Sequence, residues 1–144
     1  MTDAAKPVVL HATAVTVCGR GLLIRGATGS GKSSIALELM SRGALLISDD
    51  RVKVDPQEDG APWLSAPRTI AGLIEARGLG ILHAEVADGA PLAAILDLDE
   101  METHRLPPVR ESMLMNVSVP LLHNSASPYF AAAVMQYLKG GRKE

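Results

Sequence analysis

Gly26-Ala27-Thr28-Gly29-Ser30-Gly31-Lys32-Ser33 is the stretch that decides how this chain is read. It satisfies the pattern G-x-x-x-x-G-K-[ST] at every fixed position. Each residue type there has a physical job. Glycines let the backbone take conformations that a Cβ forbids and approach a ligand closely. The N–H groups of such a loop turn inward and form a nest for an anion. Lys32 offers a compact positive charge to the β- and γ-phosphates of a nucleotide, and Ser33 offers a hydroxyl to a magnesium ion. Gly26, Ala27, Thr28, Gly29, Ser30, Gly31, Lys32 and Ser33, with Ser34 following, are therefore the candidate nucleotide-binding residues.

The pattern carries weight only between a strand and a helix. Gly21-Leu22-Leu23-Ile24-Arg25 precedes it, a short apolar run suited to a buried strand. Ser34-Ile35-Ala36-Leu37-Glu38-Leu39-Met40-Ser41-Arg42-Gly43 follows. Ile35, Leu39 and Arg42 fall on one side at helical spacing, and Gly43 is a natural stop. A helix starting near Gly31 aims its positive end at the phosphates.

Further along, residues 44–48 form a continuous apolar run of the buried, parallel-sheet type and end in Asp49-Asp50. Strand, crossover helix and parallel strand make one right-handed unit, so the fold class is α/β. Residues 8–10 and 14–17 read as short strands before the loop, with residues 22–25 returning as the third. Residues 51–55 alternate like a strand with one wet face, and 63–65 return as another. The paired glycines within residues 69–82 break any helix and predict an irregular loop near the site. Residues 92–98 are another apolar strand, 99–102 an exposed acidic turn, and 113–119 an edge strand. Ser127-Pro128 starts a last helix through about Leu138, since Ser at a cap followed by Pro is favoured. Its apolar residues, Phe130, Val134, Met135 and Leu138 among them, pack on the core by default. Residues 1–7 and 140–144 read as flexible ends.

At 144 residues the chain is one domain with room for a full core. Net charge is −2, which offers no basic field to nucleic acid. Aromatic residues make up 3%, which removes base-stacking platforms. No apolar run approaches the roughly 18 residues of a membrane span. Cys18 is the single cysteine, so no internal disulfide exists, which fits a cytoplasmic protein. Cys18 reads as a small buried or turn-lining thiol.

Asp49 and Asp50 sit at the carboxyl edge of the sheet, where ligands of α/β proteins bind. Two acids there can hold magnesium or take a proton from an attacking hydroxyl. In isolation, His11 is more often structural than catalytic. Glu75 and Arg77 read as an exposed charge pair, and Arg105 as surface.

Together these blocks resemble the catalytic domain of HPr kinase/phosphorylase, a bifunctional bacterial enzyme acting on a serine of the phosphocarrier HPr. Four blocks carry the resemblance: Leu10-His11-Ala12; the P-loop with Ala36-Leu37-Glu38-Leu39 and Ser41-Arg42-Gly43; Ser48-Asp49-Asp50-Arg51-Val52; and Ile74-Glu75-Ala76-Arg77-Gly78-Leu79-Gly80-Ile81. Order and spacing agree over residues 10–82. The resemblance implies a single P-loop domain of the HPr kinase and phosphoenolpyruvate-carboxykinase-like type, a mixed sheet with flanking helices. It implies ATP and Mg2+ as cofactors, with Lys32 on the transferred phosphoryl group and Ser33 and Glu75 serving the metal. Asp50 would be general base, and general acid in reverse. Asp49 would support it, His11 would line the site, and Arg105 resembles an arginine near the phosphoryl group. An HPr-type phosphocarrier is the implied partner, and a ring-shaped homo-oligomer (a hexamer) the implied assembly.

Two features depart from the family pattern. About ten residues precede His11, where typical members carry an N-terminal domain, so the chain is similar to short forms holding the catalytic domain only. The family's late Gly-Arg-Asn segment, tied to dephosphorylation, has no counterpart in Pro120-Leu121-Leu122-His123-Asn124-Ser125-Ala126-Ser127. Two other classes fit the P-loop alone: a small-molecule kinase, which usually needs an arginine-rich lid, and a nucleotide-binding switch without catalysis.

Overall fold

The computed structural model describes residues 6–144. Of the start expected to be flexible, residues 1–5 lie outside the described residues, and Lys6 and Pro7 are exposed. The P-loop strand β3 (Arg20–Arg25) runs beside β2 (Thr13–Val17), and the two exchange antiparallel bonds from Thr13↔Ile24 to Val17↔Arg20. Cys18 and Gly19 join them with φ of 53° and 76°. Two successive positive φ values make the two-residue turn whose twist matches a hairpin. Cys18 thus lines a turn, as expected, but it is exposed there, not buried.

Helix α1 (Lys32–Ser41) follows the loop and leads to β4 (Leu45–Ser48). The sequence predicts β3–α1–β4 as strand, crossover helix and parallel strand. The structure keeps the two strands parallel but not neighbours: β4 bonds antiparallel to β2, which lies between them. Being antiparallel to the same strand, β3 and β4 still point the same way. Their carboxyl ends therefore share one edge, and the functional consequence of the prediction survives.

On its other side β3 pairs in parallel with β9 (Ala90–Met101), from Gly21↔Leu92 to Arg25↔Asp97. Beyond β9 lies β11 (Val117–Asn124), also parallel, with His123 opposite Asp97. The start of β9 meets β6 (Trp63–Ser65), which leads on through β5 (Val52–Asp55) to β1 (Val8–Leu10). The sheet is mixed, in keeping with the expected class.

Both faces of its centre are dry, which is why the central strands read as unbroken apolar runs. Along β3, Leu22 and Ile24 face α1 and α2 (Phe130–Gly140), packing with Leu39, Val134, Met135 and Leu138. Leu23 faces the other way, onto Val52, Val54 and Leu64 of the curled-over strands. The last helix therefore does pack on its own core through Val134, Met135 and Leu138, while Phe130 is partly buried. Gly140 closes that helix rather than belonging to a tail. Among the described residues no helix is long and apolar enough to cross a membrane.

Three local expectations fail for identifiable reasons. Residues 69–82 form no irregular loop: after one 3-10 turn, β7 (Leu73–Ala76) and β8 (Gly80–His83) make a hairpin. The glycines mark its turn, where Gly78 takes φ 86°. The edge strand expected over 113–119 is two strands, β10 (Glu111–Leu114) and β11, joined at Met115 and Asn116 with φ of 52° and 64°. Met-Asn lacks the glycine that usually announces such a turn. Finally, the acidic stretch 99–102 is exposed over residues 99–101 as expected, but it is strand and not turn, because β9 continues through Met101.

Glu102, just beyond, is mostly covered. Arg110 grips its carboxylate from Nε at 3.2 Å and Nη2 at 3.0 Å, and the backbone N–H groups of Thr103 and His104 add bonds of 3.0 and 3.2 Å. The Arg110 bonds, against partial burial and aided by those N–H groups, hold the carboxyl down at about 2. Its stabilising share is therefore complete above its ordinary value near 4.5 and is lost as pH falls through about 2.

Two outcomes are expected. Leu39→Ala removes a fully buried side chain between helix and sheet and costs about 2–5 kcal/mol in urea unfolding. Glu102→Gln flattens the loss of stability between pH 4.5 and pH 2, read from acid-unfolding curves; an unchanged acid limb would refute the ion-pair account.

Candidate active site

The carboxyl ends of β3, β4, β9 and β11, with the amino end of β2, meet at one edge of the sheet. The P-loop emerges there. Gly29 and Gly31 adopt φ of 84° and 101°, left-handed values that a side chain disfavours. A Cβ on Gly26 would lie 2.5 Å from Ser30 Oγ, so that position has no room either. Gly31 caps α1, and its carbonyl accepts the Ile35 N–H at 3.0 Å.

Lys32 is buried, and its Nζ donates to the Gly26 and Ala27 carbonyls at 2.8 and 3.1 Å. A buried ammonium without partners is expensive. Here the loop's own carbonyls satisfy it while Nζ stays at the loop.

The adjacent acids Asp49 and Asp50 are driven apart by one backbone angle. Asp50 takes φ 71°, a left-handed conformation that Asp tolerates better than most residues. Asp49 consequently turns inward and Asp50 outward. Asp49 is buried and accepts from Thr13 Oγ1 at 2.9 Å, Ser33 Oγ at 2.7 Å and the Glu75 N–H at 3.1 Å. It ties β2, α1 and β7 to the end of β4. Asp50, with its side chain 65% exposed, reaches the open site. His11 Nε2 lies 2.8 Å from Asp50 Oδ1. An ionised carboxylate only accepts, so the imidazole presents an N–H there.

A cavity of about 270 Å³ opens in front of these groups. Its phosphate side is Thr28, Gly29, Gly31, Lys32, Ser33 and Ser34. His11, Thr13 and Asp50 line another wall, and Glu75 and Arg77 come from the β7–β8 hairpin. Sequence reasoning named nearly all of this set. Gly26, Ala27, Ser30 and Asp49 stand behind the wall as its support. Arg105 is not brought to the cavity; it lines another one, beside Glu102, Arg110 and α2.

Two residues gain a role. Arg77 joins the cavity wall from the turn that follows β7, two residues after Glu75. Asp99 on β9 accepts the Ala27 N–H through both carboxylate oxygens, at 3.1 and 3.0 Å, and pins the start of the phosphate loop. Asp97, two residues earlier, accepts the Asp99 N–H at 2.9 Å and pairs with Arg25 at 3.3 Å. The Asp-x-Asp itself is visible in the sequence, but its place beside the P-loop strand is not.

The donor set suits a magnesium-bound triphosphate. Among the described residues no group of three His, Cys, Asp or Glu side chains forms a metal cage. Magnesium seldom needs one, since it keeps waters and takes substrate phosphate oxygens beside one or two protein ligands. Ser33 and Glu75 can supply those, and Asp49 orients the Ser33 hydroxyl.

The family profile described as HPr Serine kinase C-terminal domain matches residues 2–101. An HPr kinase/phosphorylase of Geobacillus sp. (strain WCH70) is 43% identical over 86 residues, which is 60% of this chain and 28% of that protein. One from Geobacillus thermodenitrificans is 35% identical over 130 residues, covering 82% of this chain and 42% of the relative. The chain thus spans less than half the length of these relatives. Among solved structures, the Hpr(Ser) kinase/phosphatase from Coxiella burnetii superposes with a TM-score of 0.76 at 21% identity, covering 92% of this chain and 88% of that one, which is a likeness of fold. With the profile spanning the P-loop, the Asp pair and the Glu75–Arg77 hairpin alike, this chain belongs to the HPr serine kinase C-terminal domain family.

Proposed function

We propose that this chain is an ATP-dependent protein kinase that transfers the γ-phosphoryl group to a serine of an HPr-type phosphocarrier in the cytoplasm. The observation that carries this reading is the placement of Asp50. Its carboxylate is exposed, held by His11 at 2.8 Å, and faces the same cavity as Lys32 and Ser33. A base poised for a hydroxyl must be open to a partner yet oriented, and this one is both. The names of the relatives supply the partner.

In the forward direction the serine hydroxyl of the carrier approaches Asp50, which accepts its proton as the serine oxygen bonds to the γ-phosphorus. The bond from that phosphorus to the bridging oxygen breaks, and ADP leaves. Lys32 Nζ turns from the loop carbonyls to the phosphate oxygens, and the loop N–H groups hold the charge that spreads over them. Ser33 and Glu75 would hold magnesium, which when bound would help neutralise the phosphate charge. His11 keeps Asp50 aimed. Arg77 adds positive charge at the mouth, and Arg105 would reach phosphate only from another subunit of the ring that the resemblance implies. A reverse reaction, in which protonated Asp50 returns its proton to the serine oxygen as inorganic phosphate takes the phosphoryl group, would have to run without the Gly-Arg-Asn segment.

The test mixes the protein with magnesium, γ-labelled ATP and an HPr-type carrier, beside a carrier whose acceptor serine is alanine. Label on the first alone is expected. Asp50→Asn should keep ATP affinity and lower transfer by about 10²-fold or more. Near-normal transfer by that variant refutes the base assignment. Label on neither carrier, with ATP bound, would favour a small-molecule kinase or a nucleotide switch.

A further inference from the structure

Two carboxylates stand behind an anion-binding loop, where charge alone argues against them. Asp97 and Asp99 lie on β9, the strand beside the P-loop strand, and neither lines the cavity in front of the loop. Their bonds give the reason. Asp99 accepts the Ala27 N–H through Oδ1 at 3.1 Å and Oδ2 at 3.0 Å. Asp97 holds Asp99 in place: its Oδ1 accepts the Asp99 N–H at 2.9 Å, and its Oδ2 accepts from Arg25 Nε at 3.3 Å. Arg25 and Ala27 flank Gly26, so one Asp-x-Asp grips the chain on both sides of that glycine.

The peptide that joins Gly26 to Ala27 links this acid to the loop's cation. Its N–H donates to Asp99, and its carbonyl oxygen accepts from Lys32 Nζ at 2.8 Å. A carboxylate and an ammonium thus face each other across a single peptide unit. The positive end of that unit meets the acid and the negative end meets the cation. Hydrogen bonds in such a chain polarise and strengthen one another. A peptide next to a glycine is also freer than most to turn over, because no Cβ restrains it. Turned over, this one would aim its carbonyl at Asp99 and its N–H at Lys32, two repulsive contacts in place of two attractive ones. The acid therefore selects the orientation that keeps Lys32 at the loop. The next carbonyl, that of Ala27, is fixed as well, since it accepts the Ser30 N–H at 3.0 Å and Lys32 Nζ at 3.1 Å.

We propose that Asp99 is a positioning residue for the phosphoryl donor. It locks the Gly26–Ala27 peptide and, through that peptide, sets the point from which Lys32 reaches the phosphates. The proposal rests on the kinase reading above, because it needs a triphosphate on the loop.

Asp99 is exposed, so replacing it leaves the core intact. Two measurements test its role: exchange of the Ala27 amide proton by NMR in the free protein, and calorimetric titration with inorganic tripolyphosphate and with MgATP. In Asp99→Ala the Ala27 amide should exchange faster. Both ligands should bind about 10-fold more weakly, the scale of a lost hydrogen bond to a charged group. Asp99→Asn keeps an oxygen for the Ala27 N–H, so it should regain part of both losses. Unchanged amide exchange or unchanged binding in Asp99→Ala overturns the proposal. So does tighter binding, the mark of an acid that only repels phosphate, and so does an Asn variant as weak as the Ala variant. These outcomes leave the P-loop reading standing. Wild-type protein that binds neither ligand overturns that reading and the proposal with it.

Discussion

The carboxylate of Asp49 holds the site together. It is buried and accepts from a hydroxyl on β2, a hydroxyl on α1 and a backbone N–H on β7. Hydrogen bonds to a charged group contribute about 1.5–3 kcal/mol each, while a buried carboxylate stripped of them costs several. Three elements distant in sequence are thereby fixed relative to the end of β4. Remove that acceptor and Ser33 and the Glu75 hairpin lose their common reference. The geometry of the candidate site is in this sense a by-product of satisfying one buried charge.

The left-handed backbone at Asp50 then turns one chemical unit into two. Neighbouring acids with identical side chains end in opposite environments, one enclosed and one open to a partner. Thr13 serves both, donating to Asp49 and lying 3.3 Å from the Asp50 N–H, which donates to its hydroxyl. The cost of the unusual φ is offset locally, by the bond from Ser48 Oγ to the Arg51 carbonyl that closes the turn.

What the sequence made legible follows the range of each interaction. The P-loop and its flanking strand and helix are local, and periodicity and spacing sufficed. The Asp pair was placed at the right edge because strand direction is enough for that. The order of strands was not legible, because β2 enters between β3 and β4 through pairing that no local pattern encodes. The hairpin at Met115-Asn116 was hidden for a different reason: its residues reach positive φ without the glycine that signals it. Asp99 went unread because its role depends on β9 lying beside β3, a tertiary fact. Arg105 carried family expectation only, and the fold of one chain leaves it beside Glu102.

The position of Lys32 bears on what the loop can offer an anion. Its ammonium is coordinated by two carbonyls of its own loop. The ammonium is in effect solvated by its own loop. An arriving phosphate meets no naked charge and must displace those carbonyls, so its gain is the difference between two coordination shells.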